Sequence, residues 1–344
     1  MAARRHPNLP LRLRDIADLA GVSVNTVSRA LTGKPDVSSK TKARVQAISE
    51  RFGYTPNALA RGLIQGRTRT VGVLVTDCTD PYYATLIQAI ESTASAHGYA
   101  MLMATSGEDP DKERLSLSVL LERGVDGLLF VPVDVAAEHV ARLVERNLCL
   151  AFLARRPKGY GGIYVGTDNV MGGRLAAEHL LALGHTRIAR IDRTDKAASA
   201  LEQWEGHHAA LADAGLREDP LLVHRAPPTF DGGRQAARWL MGLQPLPTAL
   251  VTFNDAQALG LMAELQGNGM EVPDSLSIVG YDDIALTSLV RPALTTIAQP
   301  IWRIGSLGTQ LLLRAIEGQP IARRKNLLQP KLIVRGSTKL HTAA

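Results

Sequence analysis

A break at Gly21 is the feature that most constrains the start of this chain. Before it, Ile16, Ala17, Leu19 and Ala20 recur at helical spacing; beyond it, Val24, Val27, Ala30 and Leu31 resume the apolar face of a second short helix. Two helices joined so tightly can cross only where the contact residue is small, as Ala17 is, and the turn favours a residue tolerant of positive φ, as Gly21 is. Ser23 stands where its hydroxyl can accept from backbone N–H groups that have no intrahelical partner. The second helix then turns Val24, Asn25, Ser28 and Arg29 outward, a short set suited to base edges and phosphates in a major groove. An ordinary helical hairpin with a solvated face has the same period, so this segment alone leaves both readings open.

The next residues narrow the choice. Ser38 is placed to cap a third helix whose apolar face runs through Val45, Ile48 and Phe52, with Gly53 as its stop. Residues 54–63, YTPNALARGL, make a mini-helix candidate with too little apolar surface to be stable alone, so it needs a partner to fold against. Charge is divided unevenly along the chain. Residues 1–70 hold 13 Lys and Arg against 4 Asp and Glu, or +9, and the remainder 26 against 29, or −3, which recovers the +6 of the whole. The basic charge is concentrated where nucleic acid would lie.

The run AGVSVNTVSRALTG from Ala20 to Gly33 and the run GYTPNALARGL from Gly53 to Leu63, at this spacing, resemble the lac/gal repressor family of bacterial transcription regulators. Further landmarks carry the resemblance over nearly the whole chain: Asp80-Pro81-Tyr82-Tyr83, Leu183-Gly184-His185, Asn254-Asp255, Gly280-Tyr281-Asp282-Asp283 and Val334-Arg335-Gly336-Ser337-Thr338. The resemblance implies a repressor that binds palindromic operator DNA as a homodimer, needs no cofactor, and has its operator affinity set by a small-molecule effector. Two second helices would enter successive major grooves, one per half-site. Asn25 would pair with adenine, Arg29 would reach a base or phosphate, Val24 would face the DNA beside them, and Ser23, Thr26 and Ser28 would fix register on the backbone. Asn57, Ala60 and Leu63 belong to a hinge segment that would fold only beside its symmetry mate in the minor groove, where Leu63 would wedge between base steps.

Beyond the polar stretch Gln65 to Thr70, the pattern changes to alternation. Strands are expected at Val71–Thr76, Ala100–Thr105, Gly127–Val131 and Leu148–Leu153, with helices at Tyr82–His97, Asp111–Arg123 and near Ala136–Asn147. A second set comes after these. Its helices are expected near Met171–Leu183, Ala200–Ala214, Gly232–Leu243 and Ala256–Asn268, and its strands near Arg187–Ile191, Leu221–Val223, Ala249–Thr252 and Ser277–Tyr281. The fold class is therefore α/β: a helix-turn-helix domain with hinge helix over residues 1–63, a linker over 64–70, and an effector core over 71–344. Two parallel α/β subdomains, as in periplasmic binding proteins, would enclose a cleft in that core.

Ligands in such sheets bind beyond the carboxyl ends of the strands. Asp77, Tyr82 and Tyr83 follow the first strand, Asn254 and Asp255 a later one, and Asp282 another. Carboxylates and amides there can accept hydroxyl protons while tyrosine rings cover an apolar face, which is the chemistry of polyol recognition. Two departures from the family pattern bear on the ligand. Gln203 stands where many members have an Arg, and Ala154 where an Asp is frequent. A cleft lacking that cation favours a neutral or weakly cationic effector, such as a sugar, polyol or nucleoside, unless Arg155 or Arg193 restores a positive group from a neighbouring position.

Other classes fit less well. The chain has no Walker loop, no GxGxxG after a strand, no CxxC, no HExxH and no GxSxG, and the adjacent pair His207-His208 cannot share one helical face, so neither enzyme nor metal site is expected. An exported solute-binding protein would have no use for the basic first 70 residues. Cys78 and Cys149 show neither metal-ligand spacing nor a disulfide framework, and no apolar run approaches a membrane span, so a cytoplasmic protein with no membrane partner is expected. Little sequence follows Thr338, too little for a leucine-heptad tail, so a dimer is preferred to a tetramer.

Overall fold

The computed structural model describes residues 12–31, 34–54, 67–146, 148–194 and 197–342. The contacts divide the chain into two compact units, residues 1–68 and 69–344. In the first, α1 (Leu13–Ala20), α2 (Val24–Leu31) and α3 (Ser39–Arg51) close around Ile16, Ala17, Ala20, Val27, Ala30, Val37 and Val45. Gly21 takes φ 60°, ψ 38°, the left-handed conformation that the turn between α1 and α2 requires. Ser23 accepts from the Thr26 amide at 3.1 Å, and Ser38 caps α3 by accepting from Thr41 at 3.3 Å. Two expectations fail. Leu19 and Phe52 do not join the core; they are 52% and 46% exposed. Leu19 lies off the seam that Ile16, Ala17 and Ala20 define, and Phe52 follows the last turn of α3, where Arg51 lies over its ring.

The second unit holds two six-stranded sheets. In the first, the order is β11-β5-β4-β3-β1-β2, built from Thr70–Val75 (β1), Ala100–Thr105 (β2), Gly127–Phe130 (β3), Cys149–Leu153 (β4), Ile163–Thr167 (β5) and Lys325–Leu328 (β11). In the other it is β12-β10-β9-β8-β6-β7, from Ile188–Arg193 (β6), Val223–Ala226 (β7), Ala249–Thr252 (β8), Ser277–Asp282 (β9), Thr295–Ala298 (β10) and Lys331–Ile333 (β12). All neighbours pair in parallel except β10 with β12. On the first sheet, α4 (Pro81–Ala96) and α11 (Ile301–Ile316) share one core, and α5 (Pro110–Glu122) and α6 (Glu138–Glu145) the other. The second carries α7 (Asn169–Ala182) and α8 (Ala198–Asp213) on one face, and α9 (Phe230–Met241) and α10 (Asp255–Gly267) on the other.

The chain passes between the sheets three times, after β5, after β10 and after β11. The expected elements occur within a few residues of their predicted ends, but the strand expected at Leu221–Val223 begins only at Val223, because Asp219 caps a short 3₁₀ turn over Pro220–Leu222. Local alternation does not anticipate β5, β10, β11, β12 or α11.

Glycines allow α7 and α8 to meet closely. A Cβ on Gly206 of α8 would lie 1.8 Å from the Val170 carbonyl oxygen of α7, and one on Gly173 of α7 would lie 1.9 Å from that of Gln203. Backbone meets backbone there, so no side chain can yield. Gly206→Ala is expected to cost about 3 kcal/mol or more in urea unfolding. Gly267→Ala, where nothing lies within 4 Å, should be neutral or stabilising by a few tenths of a kcal/mol. Equal effects of the two substitutions would show that the α7–α8 approach is not tight.

Candidate functional site

In the first unit, the outward face of α2 is as its period dictates. Ser23, Val24, Asn25 and Arg29 are exposed, while Thr26 and Ser28 are half-buried. Val27 and Ala30 turn inward and seat the helix on α1 and α3, so the polar face is held on a packed scaffold. Arg29 forms an ion pair with Asp36 in the connection to α3, both side chains about half exposed. An exposed pair of this kind is worth little and can be exchanged for a phosphate. Asn57, Ala60 and Leu63 lie outside the described residues.

In the second unit, side chains from both sheets converge on one cavity of about 570 Å³, its open mouth included. Nearly every residue lining it follows the carboxyl end of a parallel strand: Tyr82 and Tyr83 after β1, Glu108 after β2, Arg155 after β4, Thr167 at the end of β5, Arg193 at the end of β6, Phe253 and Asn254 after β8, Asp282 at the end of β9, and Gln299 after β10. This is where order reverses in each sheet, since β1 lies between β2 and β3, and β6 between β7 and β8. Gln203 reaches the cavity from α8. Tyr82 and Tyr83 meet edge to face at 5.1 Å, and burial pushes both phenols above their ordinary pKa, so they remain protonated donors.

Of the predicted ligand contacts, Tyr82, Tyr83, Gln203, Asn254 and Asp282 are brought together here; Asp77 and Asp255 are not among the lining residues. Asp77 is used locally, accepting from the amide and hydroxyl of Thr79 at 2.8 and 2.7 Å. Asp255 opens α10 but turns into the sheet, accepting from Thr296 Oγ1 at 2.6 Å and the Ile284 amide at 3.0 Å. Burial raises its pKa to about 7. Position after a strand is a sound guide to location; it cannot tell a cavity contact from a brace between strands.

A neutral effector is expected only if neither Arg155 nor Arg193 restores the cation that Gln203 leaves out. The structure supplies two. Arg155 and Arg193 are both in the cavity wall, 4% and 3% exposed, and both contact Glu108, a residue that no local pattern singles out. Burial alone would raise the Glu108 pKa, but the two guanidinium groups outweigh it and hold the carboxyl below its ordinary range. Asp282 behaves oppositely. Burial, with Asp255 and Asp80 nearby, lifts it well above the usual carboxylate range. It accepts from Gln299 Nε2 at 2.6 Å, while Thr167 Oγ1 donates to Gln299 Oε1 at 2.5 Å. Glu108, Ala154 and Asp282 all sit at positive φ (58°, 57° and 124°), three of the five such non-glycine residues among those described. Each costs on the order of 1–3 kcal/mol, and such strain gathers where a ligand site dictates the backbone.

A smaller pocket shares Gln203 and Phe253 with the cavity and is lined also by His207. Among the described residues, neither ring nitrogen of His207 has a hydrogen-bond partner. Burial pushes the imidazole down to about 4. No group of three or more His, Cys, Asp or Glu among the described residues could hold a metal ion, and no helix among them is long and apolar enough to cross a membrane.

Residues 12–57 match the model of "bacterial regulatory proteins, lacI family", and residues 177–338 that of a periplasmic binding protein-like domain. The transcriptional regulator GalR of Escherichia coli K12 is 32% identical over 94% of this chain and 95% of its own. The transcriptional repressor CytR of the same organism is 33% identical over 95% and 96%. Among solved structures, a lac repressor dimer bound to operator and an anti-inducer superposes with a TM-score of 0.86 at 28% identity, covering 96% of this chain and all of that one.

His207 gives a pH test of this architecture. Its folded pKa lies below the unfolded value near 6.5, so its contribution is fully present above pH 6.5 and is lost as pH falls toward 4. The full loss is roughly 3 kcal/mol. His207→Leu should therefore gain stability relative to the parent as pH falls over that window in urea unfolding; a difference independent of pH would mean that His207 is not buried neutral.

Proposed function

The chain belongs to the lacI family of bacterial regulatory proteins, and on that premise we propose that it holds a palindromic operator as a homodimer, with a small polar molecule in the cleft setting its affinity. It is a DNA-binding transcriptional regulator of the repressor type, not an enzyme. The observation that carries the proposal is that one chain joins a helix-turn-helix unit with an exposed Ser23–Asn25–Arg29 face to a two-sheet unit whose strained, polar cleft is fit for a ligand. Work on DNA accords with a cytoplasmic location.

In the proposed mechanism α2 enters the major groove. Asn25 pairs with adenine, Arg29 leaves Asp36 for a base or phosphate, and the hydroxyls of Ser23, Thr26 and Ser28 fix register on the backbone. Residues 57–63 pair with their symmetry mates in the minor groove, where Leu63 wedges between base steps and bends the site. The lac repressor dimer bound to operator, to which the chain is similar, supports operator binding by a dimer. Ligand in the cleft changes the relation of the two sheets, and a coupling of about 1–3 kcal/mol changes operator affinity about 5–150-fold.

Mobility shifts of the full-length protein on genomic fragments, with and without sugars and nucleosides, test the reading; no preference for any site over random duplex would end it. Asn25→Ala is expected to relax base preference in each half-site while leaving the salt dependence of binding nearly unchanged, as read by in vitro selection. An unchanged binding-site logo would show that Asn25 does not read sequence. Leu63→Ala is expected to keep dimerisation and ligand binding while losing most operator affinity, and full retention of affinity would remove the wedge.

A further inference from the structure

The charge of the molecule bound between the sheets is set by the groups that face it, an inference that rests on the regulator reading of the chain. Arg155 follows β4 of one sheet, and Arg193 ends β6 of the other. Their guanidinium groups meet at one carboxylate. Arg155 donates to Glu108 Oε1 at 3.3 Å and Oε2 at 3.4 Å, and Arg193 Nη2 lies 3.4 Å from Oε1.

The two cations and the anion are held very differently. Arg155 is fixed apart from Glu108 by the Pro132 carbonyl at 3.2 Å and by Tyr83 Oη at 3.4 Å, and Arg193 lies 5.1 Å over the ring of Phe253. Glu108 stands on a turn in which Gly107 and Glu108 both have left-handed φ, 63° and 58°, a conformation unfavourable for a glutamate. Its side chain is 34% exposed while both arginines are buried, and its contacts are longer than the roughly 2.7–2.9 Å of a well-made charged pair. The scaffold fixes the cations, and the cations hold the glutamate. Burial raises the pKa of Asp80 and Asp282, the other cavity carboxyls.

We propose that Glu108 is an internal stand-in for an anionic group of the effector, a carboxylate or phosphate that seats between Arg155 and Arg193 and displaces Glu108 toward solvent. Because the Glu108–Arg193 contact joins the two sheets, Glu108 also braces the cleft before ligand arrives. The incoming anion replaces one bridge with another.

The test is isothermal titration of full-length protein, Glu108→Gln and Glu108→Asp with inorganic phosphate and, separately, with acetate, in low chloride. The aspartate keeps the charge on the turn but draws it back by one methylene. Both variants are expected to bind at least one of the two anions tenfold or more tightly than the parent. Adding Arg155→Gln to Glu108→Gln should abolish the gain. A gain for phosphate alone points to a phosphorylated effector, and a gain for acetate alone to a carboxylic acid. No gain for either anion, or a gain that survives Arg155→Gln, overturns the proposal; so does failure of both single variants to fold, which would make Glu108 a structural counter-ion. Operator binding is measured separately. Its absence with the anion gain intact would remove the regulator reading alone, and the converse result would remove only the role of Glu108.

Discussion

Three crossings of one or two residues hold the sensor's sheets together: Asp168 between β5 and α7, Gln299 and Pro300 between β10 and α11, and Gln329 and Pro330 between β11 and β12. So short a set of connections leaves few backbone dihedrals by which one sheet can move against the other, and confines that movement to a hinge. The crossings are also chemically linked at the ligand cavity. Thr167, last residue before the first crossing, donates to Gln299 in the second, and Gln299 donates to Asp282 at the end of β9. A ligand touching Asp282 or Gln299 thus acts on the hinge itself.

A second link between the sheets is ionic. Glu108 and Arg193 belong to different sheets and meet across the gap, while Arg155 ties the same glutamate to its own sheet. The two sheets are therefore linked by an ion pair at one place and by side-chain hydrogen bonds at another. Strained backbone at Glu108, Ala154 and Asp282 marks where the surrounding structure dictates conformation to the site. The DNA-reading unit needs none of this. Its three helices bury a small core and leave Asn25 and Arg29 on an exposed face.

Much of this was legible in residue order. The turn at Gly21, the caps at Ser23 and Ser38, and the alternation from Val71 to Tyr281 each rest on local periodicity and turn chemistry, which survive folding unchanged. The misses have non-local causes. Helix α11 and strands β5, β10, β11 and β12 sit around the crossings, where the chain leaves one sheet for the other and local alternation gives no guide to partners. Asp255 was expected to contact ligand because a strand end is where ligands bind, yet Thr296, 41 residues away, claims its carboxylate. Nothing local marks Glu108, because its contacts come from Arg155, 47 residues further on, and from Arg193 of the other sheet. Leu19 and Phe52 fit a helical period but fall just off the buried seam.

The central claim is that cleft and operator are coupled through one equilibrium, and reciprocity tests it most directly. A compound that raises the melting temperature of the full-length protein would be titrated calorimetrically with and without saturating operator, and operator affinity measured with and without saturating compound. The account predicts equal fold-changes in the two experiments, within about 5–150-fold. Compound affinity untouched by operator, or operator affinity untouched by compound, would contradict it.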